Sequence, residues 1–416
     1  MKNFLIKYIL VLPVLIASVV LTSCNQDEPN DSPYVGGDES TILLYAVSTN
    51  SLAGNLVQDK REIIEGAKEI NLNRNNILLF QTAYTIDTEN NRFDPNQCEI
   101  SLLKLVKHGS QYEWQVIKEY SDDISPLNPS RVNEVITYVT NTFPADNYGL
   151  IFWSHSSASD PYLEGREFTA SNGNSGMLYS FGQDKLAVET KYTEVNIDEL
   201  ASAIPDDLFD FIWFDSCYMS NIESIYQMRN KCNTYVGYPT EVLEYGMQYN
   251  LVLPHIVGSK PDLVKAADAF FQFYANSTAT VAVVDTKKLE LLADYCSKIY
   301  DPSVLVSASS LKRYSRGSIG PYYDFGDYTK AMAANVGTAI ADEEWNRLLD
   351  EVVLYKNATK SDFVSYVDPD RYSGISTHIY NENANTQTEK YYRSLDWYNR
   401  VFVHDTEEVD SEVESD

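Results

Sequence analysis

The chain has 416 residues, enough for two or three domains or for one large α/β unit with an appendage. Apolar residues make up 44% and aromatics 12%, ample for a packed core, which excludes wholesale disorder. With 32 basic against 60 acidic residues the formal charge is −28, which excludes a nucleic-acid footprint built on a basic patch and suits a soluble cell-surface protein or a cationic substrate.

Lys2 and Lys7 precede an apolar run, Ile9–Leu21. The run is too short to span a bilayer, which takes about 20 residues, so it reads as a secretory signal. Leu21-Thr22-Ser23-Cys24 follows and resembles a bacterial lipobox. The resemblance implies removal of residues 1–23 and lipidation of Cys24, hence attachment to a membrane. Residues 24–39 have the composition of a flexible tether, acidic and rich in Pro and Gly. Acids directly behind the lipid-bearing cysteine resemble the surface-export signals of Bacteroides-type lipoproteins, which implies an outer-membrane or cell-surface location. The five cysteines are Cys24, Cys98, Cys217, Cys232 and Cys296, with no CxxC pair. That excludes a disulfide scaffold and a thiolate zinc cluster.

From residue 40 the pattern is α/β. Thr41–Val47 predicts a strand, Lys60–Ile70 a helix and Asn76–Thr82 a second strand, a β-α-β unit with parallel strands and a right-handed crossover. Glu99–Val106 and Glu113–Tyr120 predict an antiparallel pair. Asn128-Pro129 starts a helix, with a capping side chain followed by the imino acid favoured in the first turn. Tyr148–Trp153 is a buried strand ending at Ser154-His155-Ser156, and residues 157–180 form a long polar loop. A short helix is predicted over Val195–Ile204. The apolar run Leu208–Phe214 then breaks at Asp215-Ser216-Cys217, and the spacing after it turns helical. Thr234–Gly237 and Ala279–Asp285 predict strands, Pro261–Ala275 and Leu289–Tyr300 helices. Residues 40–300 thus read as one domain and 301–403 as a smaller C-terminal subdomain packing on it. Within the latter, Trp345–Tyr355 predicts helix into strand, Gly374–Tyr380 a strand and Tyr391–Phe402 a closing helix. Residues 404–416 read as an acidic, disordered tail.

Two strands therefore end in triplets that carry chemistry. If they are parallel neighbours, His155 and Cys217 meet at one sheet edge, where ligands of open α/β sheets collect. A cysteine nucleophile needs an imidazole near the thiol and backbone N–H donors for the developing oxyanion. His155 would take the thiol proton, and the Ser156 and Cys217 amides would bind the oxyanion. If the helix began at the cysteine, its dipole would also favour thiolate. Asp215 shares the face of Cys217 because side chains alternate along an extended chain. It therefore lies near the first recognition pocket.

Four stretches carry a family resemblance: Phe143–His155, Ser180–Asp184, Phe211–Glu223 with its D-x-C-x-M-x-x-x-E pattern, and Tyr238–Val242. Together they resemble the clostripain family of cysteine peptidases, a branch of the caspase-like group. The resemblance implies an αβα sandwich with a mainly parallel central sheet and a Cys217–His155 dyad. It makes Asp215 the acid of the pocket that selects Arg or Lys before the scissile bond, in protein or peptide substrates. It also implies self-cleavage between the catalytic strands, with Arg166 ahead of Lys185 as the site. Clostripain itself uses calcium, but no calcium-loop motif occurs here, and no cofactor is expected. His108, His255, His378 and His404 show no metal-ligand spacing. Where the caspase-like histidine is usually followed by glycine, this chain has Ser156. The altered segment opens a second reading, a catalytically degenerate lipoprotein that binds cationic peptides or a protein partner.

Overall fold

In the computed structural model, which describes residues 38–87, 92–156, 180–185, 193–314, 322–360 and 367–403, the first strand is β1 (Asp38–Val47). It is buried from Ser40 onward. Its side chains divide by parity. Leu43, Tyr45 and Val47 enter one core cluster, while Ile42, Leu44 and Ala46 enter another. A strand apolar on both faces needs cover on both, and the period of two directs alternate residues to each.

Helix α1 (Ala53–Gly66) carries the chain to β2 (Asn75–Asp87), which runs parallel to β1 with Leu43 opposite Leu78. Strands β3 (Arg92–His108) and β4 (Gln111–Tyr120) form the expected antiparallel ribbon. Helix α2 (Pro129–Thr142) starts as its sequence predicts, the Asn128 side chain accepting from the Ser130 amide. Strand β5 (Ala145–Trp153) returns beside β1 in parallel. After β6 (Phe181–Asp184), β7 (Thr193–Val195) and helix α3 (Ile197–Ala203) comes β8 (Phe209–Asp215), parallel to β5. Helix α4 (Ile222–Gln227), strand β9 (Cys232–Gly237), helices α5 (Tyr249–Ile256) and α6 (Leu263–Tyr274), strand β10 (Thr280–Asp285) and helix α7 (Leu289–Ser297) follow.

Residues 301–403, expected as a subdomain, supply β11 (Tyr322–Asp324), α8 (Phe325–Asn335), α9 (Asp342–Val352), β12 (Val353–Ala358), β13 (Ser376–His378), α10 (Gln387–Ser394) and α11 (Asp396–Phe402). Of these, β12 joins the central sheet as an edge strand antiparallel to β10. Phe325, Trp345 and Trp397 share a core cluster with Phe214 of β8. The single closing helix expected over 391–402 is two, α10 and α11, broken where Leu395 is extended.

The central sheet has nine described strands in the order β12-β10-β9-β8-β5-β1-β2-β3-β4, and its middle five are parallel. Helices α1, α5 and α6 cover one face through Leu56, Ile63, Val252 and Phe270. Helices α2, α3, α4, α7, α8, α9 and α11 cover the other. This is the predicted αβα sandwich with a mainly parallel sheet. No helix among the described residues is long and apolar enough to cross a membrane. The segment with Cys24, the loop with Arg166 and the tail 404–416 lie outside the described residues.

Candidate active site

The register of the sheet decides which strand ends meet. Trp153 of β5 lies opposite Asp215 of β8. His155 and Cys217 each follow two residues later, at the carboxyl edge of adjacent parallel strands about 4.8 Å apart. The two strand ends are also joined directly, the Ser156 hydroxyl donating to the Cys217 carbonyl oxygen at 2.5 Å. On the other side, the Gly182 amide donates to the His155 carbonyl at 2.9 Å, so β6 holds the histidine end in place. Gly182 has φ +83°, and a Cβ there would lie 2.3 Å from a Leu127 methyl, which leaves room for glycine alone.

The cysteine does not sit at a helix N-terminus, as the sequence pattern led one to expect. Helix α4 starts at Ile222, capped by the Asn221 side chain on the Ser224 amide. Residues 216–220 form a separate turn in which Tyr218 is left-handed, at φ 61°. Distant partners impose that turn. The Tyr218 amide donates to Thr240 O and the Ser220 amide to Tyr238 O. The Asn221 amide group donates to Tyr218 O, and Ser220 Oγ to Gly374 O at 3.0 Å. Left-handed backbone at a tyrosine costs roughly 1–2 kcal/mol, which the surrounding bonds offset. The α4 dipole therefore falls away from the sulfur. In its place the backbone of Val242 meets the sulfur, its amide donating to Cys217 Sγ at 3.4 Å and its carbonyl oxygen accepting from the thiol at 3.7 Å.

Behind the turn, Glu223 of α4 is fully buried. Its Oε1 accepts from Thr377 Oγ1, the His378 amide and the Tyr380 hydroxyl, tying the cysteine turn to β13. Among the described residues its Oε2 has no hydrogen-bond partner. Burial holds this carboxyl above its ordinary range.

His155 is half-buried, and burial pushes its imidazole down to about 4. It is therefore neutral near pH 7, the state in which it can accept a proton. Its Nε2 lies 2.8 Å from the Ser51 hydroxyl, in the turn between β1 and α1. Nothing in the sequence marks Ser51. Only the placement of β1 beside β5 brings it to the histidine.

Asp215 is placed differently from an acid open to substrate. It is 4% exposed. The Met247 amide donates to both its oxygens at 3.1 Å, Tyr249 Oη to Oδ2 at 3.1 Å and Tyr238 Oη to Oδ1 at 3.3 Å. Burial pushes the carboxyl up to about 6 against the pull of these donors. Gly246, at φ +55°, lets the chain pass close, since a Cβ there would stand 3.0 Å from Asp215 Oδ2. In front of this turn is a cavity of about 560 Å³ lined in part by Asp59, Glu62, Gln58, Gln248, Tyr245 and Phe273. Asp59 is 2% exposed, and burial, with Asp215 and Glu62 nearby, pushes it up to about 9. The sequence pattern singles out neither Asp59 nor Glu62. Both sit within α1, where acids read as ordinary helix surface.

Of the expected cleavage sites, Lys185 is described. Its amide donates to Thr49 O at 3.2 Å, and the preceding Asp184 is buried against Thr49 and Ser125. Among the described residues no group of three or more His, Cys, Asp or Glu side chains could hold a metal ion.

The arrangement is a caspase-like αβα sandwich with a thiol and an imidazole on neighbouring strand ends, the layout of a cysteine hydrolase. The model of the clostripain family matches residues 44–414, and the chain belongs to that family. It is a cysteine peptidase, acting on proteins or peptides. No curated protein matches it. A secreted C11 cysteine protease from Bacteroides thetaiotaomicron, solved with an irreversible peptide inhibitor, is 27% identical. The match covers 88% of this chain and 99% of that one, with a TM-score of 0.69. An inactive zymogen C11 protease from Parabacteroides distasonis is 26% identical over the same shares, with a TM-score of 0.67. A further secreted C11 protease from B. thetaiotaomicron, 22% identical with a TM-score of 0.66 and covering 88% of this chain and 99% of that one, shows the same fold.

Proposed function

We propose that the protein is an endopeptidase that cuts after Arg or Lys, with Cys217 as nucleophile and His155 as its base. The observation that carries this reading is the register of β5 on β8, closed by the Ser156–Cys217 hydrogen bond. His155 takes the thiol proton as sulfur attacks the scissile carbonyl carbon. The tetrahedral oxyanion is held by the Ser156 and Cys217 amides. Its collapse breaks the C–N bond, and His155 returns the proton to the leaving amine. Water, deprotonated by the same imidazole, then hydrolyses the thioester and restores the thiol.

Selection for a cation rests on the negative charge of Asp215 behind the 560 Å³ cavity and of Glu62 on its wall, while Asp59 beside them, pushed up to about 9, is a neutral acid near pH 7 that can accept through its carbonyl oxygen. A carboxylate pairs bidentately with guanidinium, so Arg should exceed Lys. Cleavage after Arg166, and less readily after Lys185, would release the loop between the catalytic strands. Lipidation of Cys24 would hold the enzyme at the cell surface. Fluorogenic peptides with Arg, Lys or Ala before the bond test the activity. Wild type should cut the first two, and Cys217→Ala and His155→Ala neither. Equal rates in wild type and Cys217→Ala would overturn the proposal.

One observation favours a second reading, binding without cutting: Asp215 is sealed by Met247, Tyr249 and Tyr238. Failure of arginyl and lysyl chloromethyl ketones to label Cys217, in chain already cut after Arg166, would select it.

A further inference from the structure

The turn between β1 and α1 presents a hydroxyl for which the scheme above has no use. Ser51 Oγ stands 2.8 Å from His155 Nε2. Ser51 itself is exposed, but the residues around it are fixed. Asn50 Nδ2 donates to Val47 O at 3.0 Å and to Gln183 O at 2.7 Å, and Asn50 Oδ1 accepts from the Leu52 amide at 2.8 Å. The Tyr84 hydroxyl donates to Thr49 O at 3.0 Å, and the Thr49 hydroxyl donates to the Asp184 carboxylate. The turn is thus tied to β1, β2 and β6, and β6 also holds the histidine backbone through Gly182.

An imidazole has two distinct nitrogens, and the partner of one sets the role of the other. Here Nε2 is engaged by Ser51, so Nδ1 is the nitrogen this ring has to offer as a base. A hydroxyl can donate or accept. A base at Nδ1 needs a bare lone pair there, and a neutral ring then carries its proton on Nε2, so Ser51 must accept.

Resting on the reading of His155 as base, we propose that Ser51 is its positioning residue, the hydroxyl oxygen accepting the Nε2 proton so that the Nδ1 lone pair is presented to the Cys217 thiol. The proton account closes. The thiol proton moves to Nδ1, giving an imidazolium that keeps its Nε2 proton on Ser51. The Nδ1 proton then passes to the leaving amine, and the ring returns to its starting tautomer. A hydrogen bond from a charged ring is the stronger one, so Ser51 also offsets the burial that disfavours imidazolium.

The test compares wild type, Ser51→Ala, Ser51→Thr, His155→Ala and Cys217→Ala. Two readouts are taken across pH, hydrolysis of an arginyl fluorogenic peptide and alkylation of Cys217 by iodoacetamide, whose neutral reagent does not depend on a cation pocket. Ser51→Ala should lower kcat by roughly 10–100-fold, as loss of an orienting partner does, with KM within about twofold of wild type. It should also slow alkylation and displace its pH profile, and Ser51→Thr should restore most of both. Unchanged kcat and pH profile in Ser51→Ala, with His155→Ala and Cys217→Ala inactive, would overturn the role of Ser51 and leave the dyad standing. A loss in Ser51→Ala that threonine does not rescue and that leaves the pH profile in place would overturn it as well, marking a purely structural serine. If His155→Ala and Cys217→Ala cut as fast as wild type, the dyad fails and Ser51 with it.

Discussion

The Ser156 hydroxyl donates to the Cys217 carbonyl oxygen at 2.5 Å, so the residue after the histidine holds the residue that carries the thiol. A glycine at 156 would leave the amide freer to turn but could not make this bond. Ser156 is 1% exposed, so water does not replace the hydroxyl easily. Ser156→Ala should lower stability by about 1 kcal/mol, the usual net worth of such a bond. Because the bond ties one strand end to the other, kcat should fall by roughly tenfold, about 1.4 kcal/mol of barrier, with KM little changed. Urea unfolding and steady-state kinetics measure the two.

Asp215→Asn keeps the shape of the side chain and removes its charge. If Asp215 supplies the field that draws a cation, kcat/KM for arginyl peptides should fall at least about thirtyfold, as when one partner of a buried charge pair is lost. The wild-type kcat/KM should rise with pH through about 6, where the carboxyl ionises, and the variant should lack that limb. Stability should run the other way. The folded value near 6 exceeds the ordinary 3.8, so between them the folded chain holds a proton that the unfolded chain has lost. This carboxyl's contribution is therefore fully present below about 3.8 and lost as pH rises through about 6. Unfolding free energy against pH, with and without Asp215→Asn, shows whether that slope belongs to this residue.

Glu223 separates two kinds of variant. Gln keeps an oxygen for Thr377, His378 and Tyr380, and burial already favours an uncharged group, so Glu223→Gln should stay within about 1 kcal/mol of wild type. Glu223→Ala strands three donors and opens a cavity, and should cost about 3–5 kcal/mol. Denaturant midpoints decide between them. Equal effects of Gln and Ala would contradict the account of the bonds to β13.

Self-cleavage should be selective. Lys185 follows a buried aspartate and its amide is held by Thr49 O, so the chain there is a poor substrate. Incubated wild type should yield fragments ending at Arg166, Arg166→Ala should be cut only slowly and after Lys185, Lys185→Ala should be cut as wild type is, and Cys217→Ala should not be cut. Mass spectrometry of the fragments reads all four.

Much of the fold is legible in the sequence because the middle strands are buried on both faces and appear as unbroken apolar runs, as in Thr41–Val47 and Leu208–Phe214. That β5 and β8 carry His155 and Cys217 at their ends is legible for the same reason, since two such runs end in polar triplets, and their register as parallel neighbours sets those ends side by side. Other features depend on distant partners. The break between Cys217 and α4 is imposed by Thr240, Tyr238 and Gly374, none of them near in sequence. Helix α5 is apolar on most sides and holds Pro254, so it shows little helical period. Ser51 and Asp59 look like ordinary turn and helix residues until the sheet order places α1 beside the strand ends. The sealing of Asp215 comes from Met247 and Tyr249, whose approach requires the left-handed Gly246.

The central claim, that Cys217 is the nucleophile and His155 its base, is tested most directly by labelling with an arginyl chloromethyl ketone followed by peptide mapping. Cys232 and Cys296 are buried, and burial pushes both thiols up to about 12, so they should not react. The account predicts one adduct, on Cys217, absent in Cys217→Ala and formed far more slowly in His155→Ala, with peptide hydrolysis lost in step. An adduct on another cysteine, or hydrolysis by Cys217→Ala at the wild-type rate, would contradict it.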